Sequence, residues 1–241
     1  MRSDARAREL PPLPSARAAS RPVVSNQPGV HPRLAERVRR HLESPWQRPL
    51  HRPTMIAFDA LLPILDAEPD RPLVLDSGCG SGASTRLLAR RHPEALVLGV
   101  DRSASRLARD GHHRLPHREG NALWLRAELA TLWRSLRAAG HHPAYHYLLY
   151  PNPWPKAVHL QRRWHAHPAF ADLLALGGRL EMRCNWKTYA KEFAQALALA
   201  TGEEHRPERI VFAAPITPFE RKYLASGHAL YAVTADLVYQ R

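Results

Sequence analysis

The sequence predicts an α/β fold in which a mostly parallel sheet is covered by helices on both faces. Short apolar segments alternate with amphipathic ones along most of the 241 residues. The amphipathic segments are long enough to form right-handed crossovers between parallel strands, and no internal repeat interrupts the alternation. Apolar residues make up 44% of the chain, which is enough to build a core and excludes a wholly disordered protein.

The domain organisation follows from the same patterns. We expect one domain over residues 31–241, preceded by a flexible basic arm over residues 1–30. The arm is rich in Pro, Ala, Ser and Arg and shows no sustained hydrophobic period. Two helical patterns come next, at Leu34–Leu42 and Met55–Leu65, and we expect both helices to pack against an edge of the sheet.

From Pro72 onward, strand patterns and helix patterns alternate. Each strand is predicted from a short apolar run, and the last two runs are predicted to form a closing pair. The predicted strands are residues 73–77, 95–101, 145–150, 178–183, 209–212 and 230–239. The predicted helices are residues 84–91, 103–110, 123–137 and 186–200. A loop rich in histidine precedes Asn121 and the third of these helices.

The charge balance favours a polyanionic partner. Lys and Arg number 35 against 22 Asp and Glu, which gives a net charge of +13 with His neutral. A surface of this charge attracts nucleic acid. A generally basic surface without a nucleic-acid role stays open as the alternative, because only four of the cations are lysines and an excess of arginine also follows from genomic base composition.

Several classes of protein are excluded. No apolar run reaches the roughly 18–20 residues that cross a bilayer, and the first ten residues lack the apolar stretch of a secretory signal. The two cysteines, Cys79 and Cys184, are too few for a disulfide framework and wrongly spaced for a zinc cluster. We therefore expect a cytoplasmic protein.

No metal is expected either, because neither histidine cluster has the spacing of metal ligands. The clusters are His112, His113 and His117, and His141, His142 and His146.

A glycine-rich loop lies directly after the first predicted strand and before a helix. Its residues are Asp76-Ser-Gly78-Cys-Gly80-Ser-Gly82, and glycine is needed there because a side chain would hold a ligand away from the backbone. Asp76 suits a cationic amino group and would repel a pyrophosphate. Asp101 ends the next strand, where a carboxylate accepts hydrogen bonds from both hydroxyls of a ribose. Together these features resemble the S-adenosylmethionine site of class I methyltransferases.

The glycines alone leave the cofactor open, because Gly78-x-Gly80-x-x-Ala83 also fits a loose dinucleotide fingerprint. A nicotinamide or flavin site is one alternative at this point, and a glycine-rich turn without a ligand is the other. Asn121 is a further candidate for contact with the adenine edge, although an Asn in an exposed loop is also common as a turn residue.

A second loop carries the most informative segment, Tyr150-Pro-Asn152-Pro-Trp154-Pro-Lys156, at the end of a predicted strand. Its three prolines fix an extended conformation at the carboxyl edge of the sheet, where open α/β folds bind ligands. Trp154 is suited to stack on a base. A proline-rich structural corner built around a buried Trp is the alternative. The cations suited to face phosphates are Lys156, His159, Arg162 and Arg163.

The segment Pro151–Lys156, with the cations after it, resembles the signature of the bacterial tRNA (guanine-N7)-methyltransferase family. The resemblance covers roughly residues 70–230. It implies a single Rossmann-like class I methyltransferase domain with a mostly parallel seven-stranded sheet. It also implies S-adenosylmethionine as the cofactor and tRNA as the partner, in a monomer or weak homodimer. Two further blocks match the family in order: Asn185-Trp186 with Tyr189-Ala190, and Thr217 with Phe219-Glu220-Arg221, then Gly227-His228.

The resemblance implies roles for individual residues. Asp76 and Asp101 match acids that hold the cofactor, beside the glycine loop of Gly78, Gly80 and Gly82. Asn121 and Asn152 match further cofactor contacts, and Asn152 also matches the position treated as catalytic. Four residues match substrate-binding positions of the family: Lys156, Asn185, Thr217 and Glu220. Arg162 and Arg163 are further candidates for substrate binding, because they are cations that follow the proline-rich loop.

Two departures bear on activity, since the family usually has aspartate at positions 152 and 185 and this chain has asparagine at both. Guanine N7 has an in-plane lone pair, so no base has to remove a proton before methyl transfer. The protein has to align the reactants and stabilise the positive charge that moves onto the purine. An amide in place of the carboxylate costs about 1–3 kcal/mol of that stabilisation. The alternatives are a methyltransferase acting on another nucleobase or a protein amine, and a catalytically weakened relative that binds RNA.

Overall fold

The computed structural model describes residues 20–44, 46–111, 115–211 and 214–239. Within these ranges the helices are α1 (Leu34–Glu43), α2 (Arg52–Asp66), α3 (Ala83–Arg91), α4 (Ala104–Leu107), α5 (Leu129–Ala138), α6 (Phe170–Ala175), α7 (Lys187–Thr201) and α8 (Pro218–Ala225). The strands are β1 (Leu73–Ser77), β2 (Leu96–Asp101), β3 (His117–Glu119), β4 (Ala122–Arg126), β5 (Pro143–Leu149), β6 (Gly178–Cys184), β7 (Glu208–Arg209) and β8 (Tyr231–Leu237). None of the described helices is long and apolar enough to cross a membrane.

The described strands form one sheet in the order β3-β4-β2-β1-β5-β6-β8-β7. The five central strands, from β4 to β6, are parallel, whereas β3, β8 and β7 join as antiparallel neighbours. The mostly parallel α/β fold is therefore confirmed, but the sheet has eight strands where seven were expected. The additional strand is β3, a short edge strand at His117–Glu119, where the sequence had suggested a loop. It was missed because none of its three residues is apolar.

The strand order changes direction at β1, which pairs with β2 on one side and with β5 on the other. Alternate side chains of the central strands enter two apolar clusters on opposite faces. Leu75 and Leu98 contribute to the cluster that includes residues of α1, α2, α5, α6 and α7. Val74 and Val97 contribute to the cluster beneath α3 and α4. The carboxyl ends of β1, β2 and β5 consequently meet at a topological switch point, which is where open α/β sheets bind ligands.

The third predicted helix, residues 123–137, is wrong over residues 123–126 and confirmed from residue 129 onward. Residues Ala122–Arg126 form strand β4, and helix α5 begins only at Leu129. β4 lies between β2 and β3 with its first four residues buried, so both of its faces read as apolar. The sequence has no Gly or Pro to separate this strand from the amphipathic helix that follows. The boundary is instead set by Glu128, whose side chain caps α5 by accepting a 2.9 Å hydrogen bond from Thr131 N–H.

The described part of the predicted arm, residues 20–30, is bonded to the domain. Ser25 Oγ donates to the Pro155 carbonyl, and Asn26 Oδ1 accepts a hydrogen bond of 3.0 Å from Ala157 N–H. Gln27 is 6% exposed. The prediction of a flexible arm is therefore wrong for residues 20–30, because their polar side chains satisfy backbone groups of the loop that begins at Tyr150. Residues 1–19 lie outside the described part of the chain.

Candidate functional site

A cleft of about 970 Å³ opens at the carboxyl ends of β1, β2 and β5. Its walls come from the two loops that the sequence singled out, from α1 and from the segment after the second loop. Of the residues that the sequence singled out, those that line the cleft are Gly78, Asp101, Asn152, Trp154 and Arg162. Residues from separate parts of the chain therefore meet where the strand order predicts a ligand.

Asp76 lies at the end of β1 with 1% of its surface exposed. One carboxylate oxygen, Oδ2, accepts hydrogen bonds from Ser84 Oγ at 2.6 Å and Thr85 Oγ1 at 2.8 Å. The other oxygen, Oδ1, is buried and has no hydrogen-bond partner among the described residues. Burial raises the pKa of this carboxyl to about 6, against the lowering effect of the two hydroxyls. A buried acceptor without a partner is costly, and a cationic ligand would supply the missing donors.

The glycines of the loop after Asp76 serve two different purposes. Gly78 and Gly80 have φ of +83° and +65°, and a Cβ on either would meet no atom within 4 Å. They leave open space above the turn. Gly82 has φ of +90°, and a Cβ there would lie 2.1 Å from Trp124 Nε1. Gly82 is therefore required for the packing of the loop against β4, whereas Gly78 and Gly80 keep the backbone accessible.

Asp101 ends β2 beside the glycine loop. Its Oδ2 accepts a hydrogen bond of 3.0 Å from Gly80 N–H, and its Oδ1 accepts one of 2.7 Å from Ser103 N–H. Arg106 Nη1 lies 3.6 Å from Oδ2. Asp101 thus fixes the loop while remaining on the wall of the cleft. Each carboxylate oxygen has a second lone pair available for a ligand hydroxyl.

Asn121 lies at the opposite edge of the sheet from the cleft. It precedes β4, and its carbonyl accepts a hydrogen bond from Val97 N–H near the start of β2. Its side-chain amide nitrogen lies 3.0 Å from each of the carbonyl oxygens of Ala89, His92 and Ala95. The expected cofactor contact is therefore wrong for Asn121. Its amide instead holds the turn between α3 and β2.

Glu128 lies at the carboxyl end of β4, and the sequence analysis missed it. It lines the main cleft and also a neighbouring cleft of about 640 Å³. Its Oε1 lies 3.6 Å from Arg48 Nη1. Glu128 was missed because β4 was interpreted as part of a helix. A capping acid directly after an apolar run is the signal that identifies this position.

The structural role of Asn121 predicts the outcome of an exchange. Asn121→Ala should lower the free energy of unfolding by about 1–3 kcal/mol, because the turn carbonyls lose the two N–H donors of this amide. The dissociation constant for S-adenosylmethionine should stay unchanged. Thermal melting and isothermal titration calorimetry measure the two quantities, with Asn152→Ala as the exposed asparagine control. Weaker cofactor binding without a lower melting temperature would contradict this assignment.

The loop Tyr150–Lys156 has an unusual backbone. Tyr150 and Trp154, neither of them glycine, have φ of 51° and 45°, a conformation that costs about 1–3 kcal/mol per residue. Tyr150 N–H donates to the Arg183 carbonyl on β6 at 2.8 Å. Asn152 is exposed on the cleft, and its Oδ1 accepts a long hydrogen bond of 3.4 Å from Trp154 N–H. The loop is thus bent at both ends of the segment that presents Asn152.

Arg163 anchors this loop from behind. Its side chain is fully buried. Nε and Nη2 donate to the Trp154 carbonyl at 3.2 and 3.1 Å, and Nη2 also lies 3.3 Å from the Lys156 carbonyl. The prediction that Arg163 faces phosphates is therefore wrong. The buried guanidinium neutralises Glu192, with Nη1 2.6 Å from Glu192 Oε2.

Glu192 of α7 joins the loop to the N-terminal segment. Its Oε1 accepts hydrogen bonds from Gln27 Nε2 at 2.6 Å and His31 N–H at 2.9 Å, and its Oε2 accepts from Arg163 and from His165 Nε2 at 3.0 Å. Burial alone raises the pKa of this carboxyl, but the hydrogen bonds and charges of His165 and Arg163 outweigh it and lower the pKa to about 2. Glu192 is therefore ionised at neutral pH and fully satisfied.

The other cations after the loop remain near the surface. Lys156 is exposed. The Arg162 guanidinium lies 4.8 Å from the centre of the Trp154 ring, and the His159 ring lies edge-on to the same ring at 5.5 Å. Trp154 thus belongs to a layered aromatic and cationic surface on the cleft, and its contact with a base stays a prediction.

The remaining predicted substrate residues gather at the carboxyl end of β6, outside the wall of the cleft. Asn185 Nδ2 donates to His228 Nδ1 at 3.2 Å. Thr217 caps α8 by accepting a 2.9 Å hydrogen bond from Glu220 N–H. Glu220, 1% exposed, accepts a hydrogen bond of 2.8 Å from Arg183 Nη1. The structure thus gives Thr217 a helix-capping role and pairs Glu220 with Arg183, and substrate contact by Asn185 stays a prediction.

Several of the described histidines form side-chain hydrogen bonds within the protein. His146 is fully buried, with Nε2 2.8 Å from Ser77 Oγ, and burial lowers its pKa to about 3. His141 pairs with Asp66 at 2.9 Å. No group of three potential metal ligands occurs among the residues that the structure describes. His112 and His113 lie outside those residues.

Comparison with known proteins adds to this geometry. Residues 70–233 match a family model described as "Putative methyltransferase". A tRNA (guanine-N(7)-)-methyltransferase of Treponema pallidum is 31% identical over 170 residues, which cover 66% of this chain and 65% of that protein. The match therefore spans slightly less than two thirds of that relative. The protein of the same name from Mycobacterium leprae is 31% identical over 186 residues, 70% of this chain and 74% of the relative. The solved antibiotic-resistance methyltransferase Kmr gives a TM-score of 0.48 at 23% identity, over 70% of this chain and 88% of that chain.

Proposed function

The chain belongs to the family of tRNA (guanine-N(7)-)-methyltransferases, and from this premise we propose that it transfers a methyl group from S-adenosylmethionine to N7 of a guanine in tRNA. One feature of the site carries this function: the buried Asp76 carboxylate, which lies two residues before the open turn of Gly78 and Gly80 in the chain, has an oxygen without a partner among the described residues. We expect the protein to act in the cytoplasm, as a monomer or weak homodimer.

The residues present fit S-adenosylmethionine. Its ammonium group would supply donors to Asp76 Oδ1, and the open backbone at Gly78 and Gly80 leaves room for its amino-acid portion. Asp101 would accept hydrogen bonds from the ribose hydroxyls. Glu128, on the wall of both clefts, is the carboxylate available for an exocyclic amine. When bound, the cofactor supplies an electrophilic methyl group on a sulfonium. A dinucleotide fits less well, because its pyrophosphate would be repelled by Asp76.

Alignment is the main task of the protein in this reaction. Guanine N7 attacks with its own lone pair, so the site needs no general base. Asn152 presents an amide oxygen and an amide nitrogen from an exposed position on the cleft, and we expect it to bind the edge of the guanine. Holding the base in this way converts a bimolecular encounter into an oriented one, which is a large part of the catalysis of such transfers.

We expect the neutral amide of Asn152 to limit the rate. A carboxylate at this position would accept hydrogen bonds from guanine N1–H and the exocyclic amine and would offset the positive charge that develops on the purine. Asn152→Asp should therefore leave turnover unchanged or raise it, by up to roughly 100-fold for 1–3 kcal/mol of added stabilisation. Single-turnover kinetics with unmodified tRNA measure the change, and Asn152→Ala should be slower than wild type. A large loss in Asn152→Asp would instead indicate that the amide serves a different acceptor.

The direct test is product identification. Purified protein is incubated with labelled S-adenosylmethionine and unmodified bulk tRNA, and the digested nucleosides are identified by mass spectrometry. We expect 7-methylguanosine. Another methylated nucleoside would mean a different acceptor base, and label on protein would mean an amine acceptor. Cofactor binding without any transfer would overturn the proposed enzymatic function.

A further inference from the structure

Helix α1 has two flanks that differ in surroundings. Leu34 and Val38 are buried in the core. Arg33 and Arg37, one helical turn apart, lie on the flank that forms part of the cleft wall. Arg39 is exposed and lies about 200° around the helix from Arg37, and it is not on the cleft wall. Arg33 and Arg37 therefore lie on the side of α1 that faces the cleft, and Arg39 lies on the other side.

The wall of the cleft carries more positive charge than its own acids neutralise. Its carboxylates are Asp101 and Glu128, and its arginines are Arg33, Arg37, Arg48, Arg102, Arg106 and Arg162. Three of these arginines pair with acids: Arg33 with Glu36, Arg48 with Glu128, and Arg106 with Asp101. In the described part of the chain, the other three have no carboxylate oxygen within 4.0 Å. Those three are Arg37, Arg102 and Arg162.

The cofactor does not account for this excess. S-adenosylmethionine has no phosphate, its single carboxylate can pair with at most one of the three arginines, and its ammonium and sulfonium groups are themselves cations. A guanidinium is suited to bind phosphate oxygens in pairs. The unpaired arginines therefore match an anion with phosphates on several sides of the cleft: Arg37 on α1, Arg102 after β2, and Arg162 beside Trp154.

We propose that the cleft-facing flank of α1, Arg33 and Arg37, together with Arg102 and Arg162, forms the surface that binds the phosphate backbone of the RNA strand on either side of the methylated base. The proposal rests on the proposed function for the identity of the RNA. Arg162 stacked on Trp154 adds a surface on which a neighbouring base can lie. The strand thus crosses the cleft from α1 to the loop that presents Asn152.

The helix offers a matched pair of variants. Arg37→Glu and Arg39→Glu change the net charge by the same amount on the same helix, but only the first alters the cleft. Binding of tRNA is measured by fluorescence anisotropy over a series of salt concentrations. Binding of S-adenosylmethionine and the melting temperature serve as controls for folding. Arg37→Glu should weaken tRNA binding by at least about tenfold and lower the slope of log K against log salt by about 0.7–0.9, the value for one phosphate contact. Arg39→Glu should change the affinity by less than about threefold.

Equal weakening in both variants would overturn the proposal, because only the net charge would then matter. An unaffected Arg37→Glu, or a wild-type protein that binds no tRNA at low salt, would overturn it as well. Should Arg37→Glu be misfolded, Arg102→Glu takes its place, with the same comparison to Arg39→Glu. Failure of the proposed function can be distinguished from failure of this proposal. If tRNA binding depends on Arg37 but no 7-methylguanosine is formed, the RNA-binding surface is supported and the proposed methyl transfer is contradicted.

Discussion

Replacing Asp76 by Asn is expected to weaken the binding of S-adenosylmethionine strongly and, at the same time, to raise the melting temperature of the ligand-free protein. The carboxylate is buried with one oxygen unpartnered, so it destabilises the fold until a cation pairs with it. Asn keeps a hydrogen-bond acceptor for Ser84 and Thr85 but removes the charge. Loss of a charged hydrogen bond to the ammonium group weakens binding by roughly 10- to 150-fold.

The sign of the stability change follows from the pKa of Asp76, which burial raises from 3.8 to about 6. The folded protein holds this proton more tightly than the unfolded chain, so the contribution of Asp76 to stability is greatest below about pH 4 and is lost as the pH rises from about 4 through 6. Asp76→Asn should therefore gain roughly 1–3 kcal/mol at pH 7. In wild type, binding of the cationic cofactor should weaken about tenfold per pH unit below 6. Calorimetry between pH 5 and 8 measures both effects, with the exposed Asp70→Asn as the control. A destabilised Asp76→Asn would contradict this account.

Replacing Arg163 by Met is expected to cause the largest loss of stability of any single change at the site. The variant leaves the Glu192 carboxylate buried without its guanidinium partner, which typically costs about 3–5 kcal/mol. It also releases the carbonyls of Trp154 and Lys156 that Arg163 holds. We therefore expect a melting temperature lower by roughly 6–20 °C and a large fall in kcat, because the loop that presents Asn152 loses its anchor.

The adjacent arginine supplies the control for this second prediction. Arg162 is exposed and contacts the Trp154 ring, so Arg162→Met should change the free energy of unfolding by less than about 1 kcal/mol. Its effect should appear in the KM for tRNA. Differential scanning fluorimetry and initial rates measure the two variants together. Similar melting temperatures for Arg163→Met and wild type would show that the buried pair does not hold the loop.

Much of the sheet could be predicted because its strands end in ways that a sequence displays. β1 and β2 are short apolar runs that each finish on an acid, Asp76 and Asp101, and the structure brings both acids to one edge. β4 could not be separated from α5 by pattern alone, because a strand buried on both faces has no alternation and Glu128 is its only boundary signal. The error at β4 also hid Glu128 and directed attention to Asn121, at the wrong end of the same strand.

The candidate site could be predicted where its glycine-rich and proline-rich loops are visible in the sequence. It could not be predicted where the role of a charged side chain depends on whether that side chain is buried or exposed. Arg162 and Arg163 are neighbours of the same type, yet one is exposed and the other fully buried against Glu192. A sequence contains no local signal for that difference, since the partner lies on α7. Residues 20–30 were misjudged for the same reason. Their prolines suggest a loose arm, whereas Gln27 and Asn26 find their partners more than 130 residues away.

The hydrogen bonds of Ser20 have a consequence for the order in which the molecule is assembled. Its N–H donates to Ser226 Oγ and its carbonyl accepts from His228 Nε2, across 206 and 208 positions of the chain. Because synthesis runs from the N-terminus, residues 20–31 leave the ribosome long before α8 exists to receive them. The central strands can pair earlier, from contacts that are much closer in sequence. The two hydrogen bonds of Ser20 therefore form only after residues 226 and 228 have been synthesised, later than the parallel strands β1, β2, β4, β5 and β6 become available to pair.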